Sequence, residues 1–336
     1  MNWNIEILYK DKGKIFMEEN KVKEKLDNLR NSTIDEITYY DVKDEWKSKL
    51  EKLNDIENKI FELKEEYDSF NSYKKMLLYK RTANNLGIDC DVSLRSTMIY
   101  VLAFDYVLEN KRKLQKQPYS GCKYCLTNKN DFDYRGDTMN SFKQITDCYL
   151  NFFKNDIEQK SENFEKVRKF VELNHTVGNF IPVPFKTLEK RRFLSLNIKR
   201  NGTVGDYWDL TLYYIYNWYI TEDKKYLTKL VGKSDNFQNM IKEWLKIFGT
   251  GMDGWKEFTN KNYLYNSFVD ENYKPIYFWK GHFDGEVKPT EVKHCLEFFE
   301  KVPSMIEKRG KTIAEVILNK LKKENLTNDE ILKNIL

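Results

Sequence analysis

Asp206-Tyr207-Trp208-Asp209-Leu210-Thr211-Leu212-Tyr213-Tyr214-Ile215-Tyr216-Asn217-Trp218-Tyr219-Ile220 decides the class of fold. Coiled into a helix, it carries apolar or aromatic side chains on nearly every side, with no glycine or proline to interrupt it. A helix that is apolar all round is either buried in a large core or set in a bilayer. Spanning a bilayer takes roughly 20 apolar residues. This segment is shorter, so it predicts a helix at the centre of a protein core.

The flanking chain predicts more helices. Asp235–Phe248 has amphipathic spacing and stops at Gly249. Residues 249–288, rich in glycine and aromatics, predict an irregular stretch. Thr290–Lys308 predicts a helix ended by Gly310, since glycine is the usual residue just past a helix C-terminus. Thr312 with Glu315, and Thr327 with Glu330, have capping-box spacing. On the N-terminal side, Thr176–Phe185 contains Gly178, Pro182 and Pro184 and predicts an extended loop. Helices are expected over about Thr138–Asn155, with Asp137 as N-cap, and over Glu158–Leu173.

In the first third of the chain, Trp46, Leu53, Ile60 and Tyr67 fall seven apart, and Ile56, Leu63 and Phe70 follow the last three at a distance of three. This is the a/d spacing of a coiled-coil seam. Ser93–Lys116 predicts a second helix that folds back on the first as a hairpin. Ahead of this arm, Trp3–Tyr9 and Ile34–Val42 alternate like short strands, around a charged helix at Lys21–Leu29. Gln117-Pro118-Tyr119-Ser120-Gly121 breaks the pattern. The expected architecture is an α-rich α+β protein. Residues 1–118 form an N-terminal domain with a coiled-coil-like arm (44–116), and residues 119–336 form a mainly helical core domain.

Composition narrows the function classes. The 336 residues are 40% apolar and 32% charged, with a net charge of +5 that permits an acidic partner without demanding one. The N-terminus lacks a basic stretch followed by an apolar one, so no signal peptide is expected. No membrane association is expected either. Five cysteines, an odd number in a long chain, fit a reducing compartment and a cytoplasmic location.

Four segments carry a resemblance: Arg135-Gly136-Asp137-Thr138-Met139-Asn140-Ser141-Phe142, His175-Thr176-Val177-Gly178-Asn179-Phe180 through Pro184, Asp206-Tyr207-Trp208-Asp209-Leu210, and Trp279-Lys280-Gly281-His282-Phe283. Over roughly residues 130–310 the chain resembles a group of uncharacterised bacterial and phage proteins without an established activity. The resemblance implies a shared fold for this region and a setting in phage-borne or mobile DNA. It brings no catalytic residues with it.

Among residues with chemical potential, Cys122 and Cys125 have the spacing of a zinc-binding pair. A structural site needs four ligands, and Cys148, Cys90 or His175 would have to complete it from a distance. The expectation is therefore that no metal and no cofactor is bound. Arg135, with Asp137 and Asn140 close by at an expected helix start, could hold a phosphate. The favoured expectation is a capped helix whose Arg135 pairs with Asp137 or Asp133. His175 could serve as a general acid or base, forming a phosphate-cleaving site with Arg135 and Asn179. The plainer alternative is a histidine that orders the proline loop. Asp206 and Asp209 fall on one helix face, where capping is commoner than metal binding. Phosphate-binding glycine loops, His-Glu-x-x-His and nucleophile elbows are missing from the sequence.

Lys186–Arg200 is the most basic stretch. It holds Lys186, Lys190, Arg191, Arg192, Lys199 and Arg200 against Glu189 alone, with Phe185 and Phe193 interleaved. Cations mixed with aromatics suit phosphate contact and base stacking. The expected function is a non-enzymatic interaction protein of phage–host conflict that binds a nucleic acid or nucleoprotein target of host defence, in the manner of an anti-CRISPR inhibitor. The alternative is an enzyme acting on RNA or a nucleotide through His175, Arg135 and Asn179. A homodimer joined through the 46–70 seam is a further expectation.

Overall fold

The computed structural model describes residues 23–40, 94–107, 113–115, 125–127, 132–140, 166, 169–170, 172–187, 193–195, 208–279 and 291–323. Most of these are helical, as expected, and the strands among them form one five-stranded antiparallel sheet. The 46–70 seam lies outside the described residues.

The first helices are α1 (23–31) and α2 (Ile34–Thr38). The expected strand at Ile34–Val42 is replaced over these residues by α2, because Thr33 and Glu36 close a reciprocal capping box. The Glu36 amide donates to Thr33 Oγ1 at 3.2 Å, and the Thr33 amide donates to Glu36 Oε2 at 2.7 Å. Helix α3 (Leu94–Ala103) covers only the first part of the helix expected over Ser93–Lys116. Its continuation at Lys113–Gln115 is instead strand β1.

The sheet runs in the order β1, β2 (Cys125–Thr127), β3 (Asp133–Thr138), β4 (Phe180–Thr187), β5 (Phe193–Ser195). Its longest ladder pairs β3 with β4, from Asp133 opposite Phe185 to Thr138 opposite Phe180. Two expectations are corrected here. Arg135–Thr138 is strand, and Asp137 sits opposite Ile181 rather than capping a helix that begins at Thr138. The expected loop at Thr176–Phe185 is a 3-10 turn, Val177–Asn179, running straight into β4. The prolines are accommodated because, among the described residues, β5 pairs only with Phe185–Thr187. On that side the stretch holding Pro182 and Pro184 has no described strand partner, so the missing N–H groups break no described ladder bond. Gly136 faces Pro182, and a Cβ there would collide with the Phe180 ring.

Helix α4 (Trp208–Thr221) is the buried central helix expected from the sequence, with Trp208, Leu212, Ile215 and Tyr219 at most 1% exposed. Helix α5 (Lys224–Val231) follows, N-capped by the Asp223 carboxylate, which accepts from the Lys225 amide at 2.8 Å. The expected amphipathic helix is α6 (Asp235–Lys246). The stretch expected to be irregular from residue 249 opens with helix α7 (Gly251–Lys261) and only then becomes turns with isolated bridges. Gly254 permits this helix. A Cβ there would lie 2.5 Å from the Gly249 carbonyl carbon and 2.8 Å from Tyr219 Cε1.

Helix α8 (Val292–Leu318) passes through Gly310 without stopping and ends in a π turn, Asn319–Lys323. Gly310 is therefore not a helix terminator, and Thr312 is no cap: its hydroxyl donates to the Lys308 carbonyl within the helix. The glycine is needed for close packing. A Cβ on it would come 3.1 Å from Thr38 Cγ2, and Gly178 Cα lies 3.5 Å away. Tyr39 reinforces the α2–α8 contact by donating to Glu307 at 2.9 Å.

The core is aromatic throughout. Trp255 stacks on Phe258 at 5.8 Å, Phe258 meets Phe248 at 5.2 Å, Phe248 meets Tyr106 at 4.9 Å and Tyr106 meets Tyr134 at 5.7 Å. Edge-to-face pairs of this kind contribute about 0.5–1.5 kcal/mol each beyond their buried area. They tie α7 and the end of α6 to the sheet. Among the described residues no helix is long and apolar enough to cross a membrane.

Candidate functional site

The turn between residue 173 and β4 gathers the polar side chains singled out in the sequence. His175, Thr176 and Asn179 are each at most 2% exposed. Such groups persist in an interior only when hydrogen-bonded. Asn179 uses its whole amide. Its Oδ1 accepts from the Asn140 amide at 3.1 Å and from Asn140 Nδ2 at 3.3 Å. Its Nδ2 donates to the Asn140 carbonyl at 2.9 Å and the Asn174 carbonyl at 2.8 Å. Asn140 Oδ1 in turn accepts from the Trp208 amide at 3.2 Å, so one asparagine caps α4 while holding the other.

His175 Nε2 lies 3.2 Å from Asn174 Nδ2, and the ring is 1% exposed. Asp209, fully buried, accepts from the Leu210 amide at 2.7 Å and from the Phe278 amide at 3.0 Å. Its carboxylate thus ties Phe278, in the turns after α7, to the start of α4. Among the described residues no group of three His, Cys, Asp or Glu is placed to hold a metal ion. Of the proposed catalytic trio, His175 and Asn179 share one turn, while Arg135 stands in β3 opposite Val183. Catalysis by these residues would require the turn to open, because Asn179 has no bond to spare and substrate cannot reach a buried ring.

Sequence reasoning overlooked the centre of this region. Arg309 on α8 is fully buried. Its Nε donates to the Asn262 carbonyl at 3.0 Å, and its Nη1 donates to the carbonyls of Gly178 at 2.7 Å and Phe180 at 2.8 Å. Burial pushes its pKa down to about 9, with Tyr106 and Tyr263 opposing the shift, so the group remains charged at neutral pH. A signal was present: Val302, Ile306 and Ile313 form an apolar stripe at helical spacing, and Arg309 falls on it.

The basic stretch takes a different position. Lys186 pairs with Leu194 and Thr187 with Phe193, so β4 and β5 form an antiparallel pair, and Glu189, Lys190, Arg191 and Arg192 fall between the two strands in the sequence. Residues 188–192, like Lys199 and Arg200, are outside the described residues, as are Cys122 and Cys148.

A family model matches residues 104–313, more than half of the chain. The chain belongs to DUF6994, a family of unknown function. No curated protein and no solved structure matches it. The DUF6994 region includes the asparagine pair, the 3-10 turn, α4 and Arg309, whereas α1, α2 and α3 precede it.

The saturated asparagine pair gives a first test. Asn179→Asp replaces a donating Nδ2 by an oxygen facing two carbonyls at 2.8–2.9 Å. Leaving two buried acceptors without donors should cost about 2–4 kcal/mol, read as a lowered urea midpoint. An unchanged midpoint would show that the turn does not depend on this amide.

Proposed function

We propose that this protein is a non-catalytic binding protein that contacts a nucleic acid or nucleoprotein through the basic end of the β4–β5 hairpin. One observation supports the reading: Lys186, Lys190, Arg191 and Arg192 fall in the sequence within and between the paired strands β4 and β5, with Glu189 as the only opposing charge in that run. Phosphate contacts by such a cluster supply affinity without requiring a sequence to be read. Phe185 and Phe193, on the two strands of the same hairpin, are the stacking partners for unpaired bases. The internal bonding of Asn179 and the burial of His175 support binding over chemistry. The setting we propose, inhibition of a host defence nucleoprotein during phage infection, rests on the resemblance of residues 130–310 to phage-borne proteins.

The test is fluorescence anisotropy with a labelled single-stranded RNA oligonucleotide across a salt series. Binding should weaken steeply with salt. The combined change Lys190→Ala, Arg191→Ala, Arg192→Ala should lower the salt slope by about 2 and the affinity by at least roughly tenfold. Equal affinity and slope for both proteins would remove the hairpin from the binding surface.

A further inference from the structure

The segment after α7 holds tyrosines at the surface on a strained backbone. Four non-glycine residues among those described have positive φ, and three of them, Tyr263, Asn266 and Tyr273, fall in this one segment. Asparagine tolerates that conformation, whereas a bulky aromatic does not. Such outliers persist only where the surroundings fix them, and they cluster at ligand-binding sites.

Tyr263 has an internal reason for its place, since its hydroxyl donates to the Ala103 carbonyl. Tyr273 is held through its backbone. Its amide donates to the Asp270 carbonyl at 3.0 Å, and its carbonyl accepts from Trp255 Nε1 at 2.7 Å. Any residue could make those two bonds, so they do not account for a tyrosine. The side chain is only partly buried. What its ring does is stack: it lies against Tyr265 with centroids 4.6 Å apart and planes 28° from parallel. Tyr265 is 37% exposed, so a further flat ring can extend the pair.

Cations stand beside this stack. Lys256 Nζ lies over the Tyr273 ring at 5.4 Å. Lys274, the next residue along, places its Nζ over the Tyr216 ring at 4.4 Å and contacts the Tyr216 hydroxyl. Both lysines are exposed, and among the described residues neither is ion-paired. Two nearby carboxylates are engaged elsewhere. Asp270 Oδ1 accepts from the amides of Asn272 at 2.9 Å and Lys274 at 2.7 Å, and Glu257 lies 3.9 Å from Lys261. Asp253 and Glu271 are exposed, which brings the local charge close to balance. Stacking, more than charge, is therefore what this surface offers.

We propose that Tyr265 and Tyr273 form a stacking platform for an unpaired base of a single-stranded nucleic acid, with Lys256 and Lys274 contacting its flanking phosphates. Every base has a π-face, so such a platform is tolerant of sequence. A duplex keeps its bases in its own stack and cannot use it. The platform takes the same class of partner as the β4–β5 reading but shares none of its residues, so each can fail alone.

Fluorescence anisotropy of the full chain with a labelled uridine strand of about twelve nucleotides, and with an RNA duplex of the same length, tests it across a salt series. The single strand should bind at least about tenfold more tightly than the duplex. Tyr265→Ala should weaken the single strand by about five- to a hundredfold without changing the salt slope, because the lost contact is uncharged. Tyr265→Trp should keep the affinity. The hairpin variant acts on the slope instead, which separates the two surfaces. Tyr273→Asn, which suits the left-handed backbone, should weaken binding while the thermal midpoint stays within roughly 3 °C. A lowered midpoint with binding intact would give that ring a structural role and overturn the platform. Full affinity in Tyr265→Ala, or equal binding of duplex and single strand, would overturn it too. Binding of maltohexaose that Tyr265→Ala abolishes, with no binding of the uridine strand, would reassign the surface to a sugar and sink the proposal.

Discussion

Arg309→Met should lower the stability of the fold by about 3–5 kcal/mol, seen as a large fall in the urea midpoint. The methionine fills much of the same volume, so the loss is not chiefly one of packing. What disappears is the donor set that three carbonyls on two separate segments share. The Asn262 carbonyl after α7, the Gly178 carbonyl in the 3-10 turn and the Phe180 carbonyl at the head of β4 all accept from one guanidinium. With the cation gone, all three face an apolar side chain, and each buried unsatisfied carbonyl costs about 1–3 kcal/mol. Relief from burying a charge offsets part of this. The guanidinium also lies 5.9 Å above the Phe104 ring, a cation–π contact that methionine does not replace. Total stability for a domain is about 5–15 kcal/mol, so a loss of this size threatens folding at all. A midpoint within error of the parent protein would show that the three carbonyls find other donors.

Gly178→Ala should be nearly as damaging, by about 3 kcal/mol or more. The added Cβ falls on the Ile306 carbonyl oxygen and within 2.9 Å of the Gly310 nitrogen. These are backbone atoms of α8, so no side chain can rotate aside, and the helix itself must retreat. Retreat would pull Arg309 from the very carbonyl that Gly178 offers it. Gly232→Ala provides the comparison. There φ is +80° and ψ −170°, a conformation nearly confined to glycine, but nothing lies within 4 Å of the new atom, so the cost is that of backbone strain alone, about 1–3 kcal/mol. Thermal unfolding of the two variants separates close approach from conformational strain. Equal shifts would mean that the α8 contact is softer than its geometry implies.

The parts of the fold legible in the sequence are those where one local pattern settles the structure. Trp208–Thr221 is apolar on every side and has nowhere to go but the core. Asp235–Lys246 has an apolar stripe that fixes both its helicity and its buried face. Misreadings arose where local chemistry permitted two outcomes and a distant partner chose. Asp137-Thr138 looks like a helix start, yet the backbone goes to β3 because β4, some 40 residues on, supplies the ladder. Gly310 looks like a stop, and only the neighbouring Thr38 and Gly178 reveal that it admits another chain. Short α5 was overlooked because only Leu227, Leu230 and Val231 are buried on an otherwise polar segment. Of the candidate site, the sequence singled out Asn179 and His175, which the structure places in one buried turn. It could not reveal that Asn140 occupies the Asn179 amide, because that pairing spans 39 residues.

The docking of α2 on α8 bears on how such chains diverge. The family segment opens at residue 104, yet Thr38, well ahead of that point, abuts the same glycine that receives the 3-10 turn. The junction is thus a three-body contact with one member contributed from beyond the shared segment. A chain lacking α2 would lose the Thr38 side of this contact, so the packing of α8 at Gly310 draws on a segment that precedes the family match.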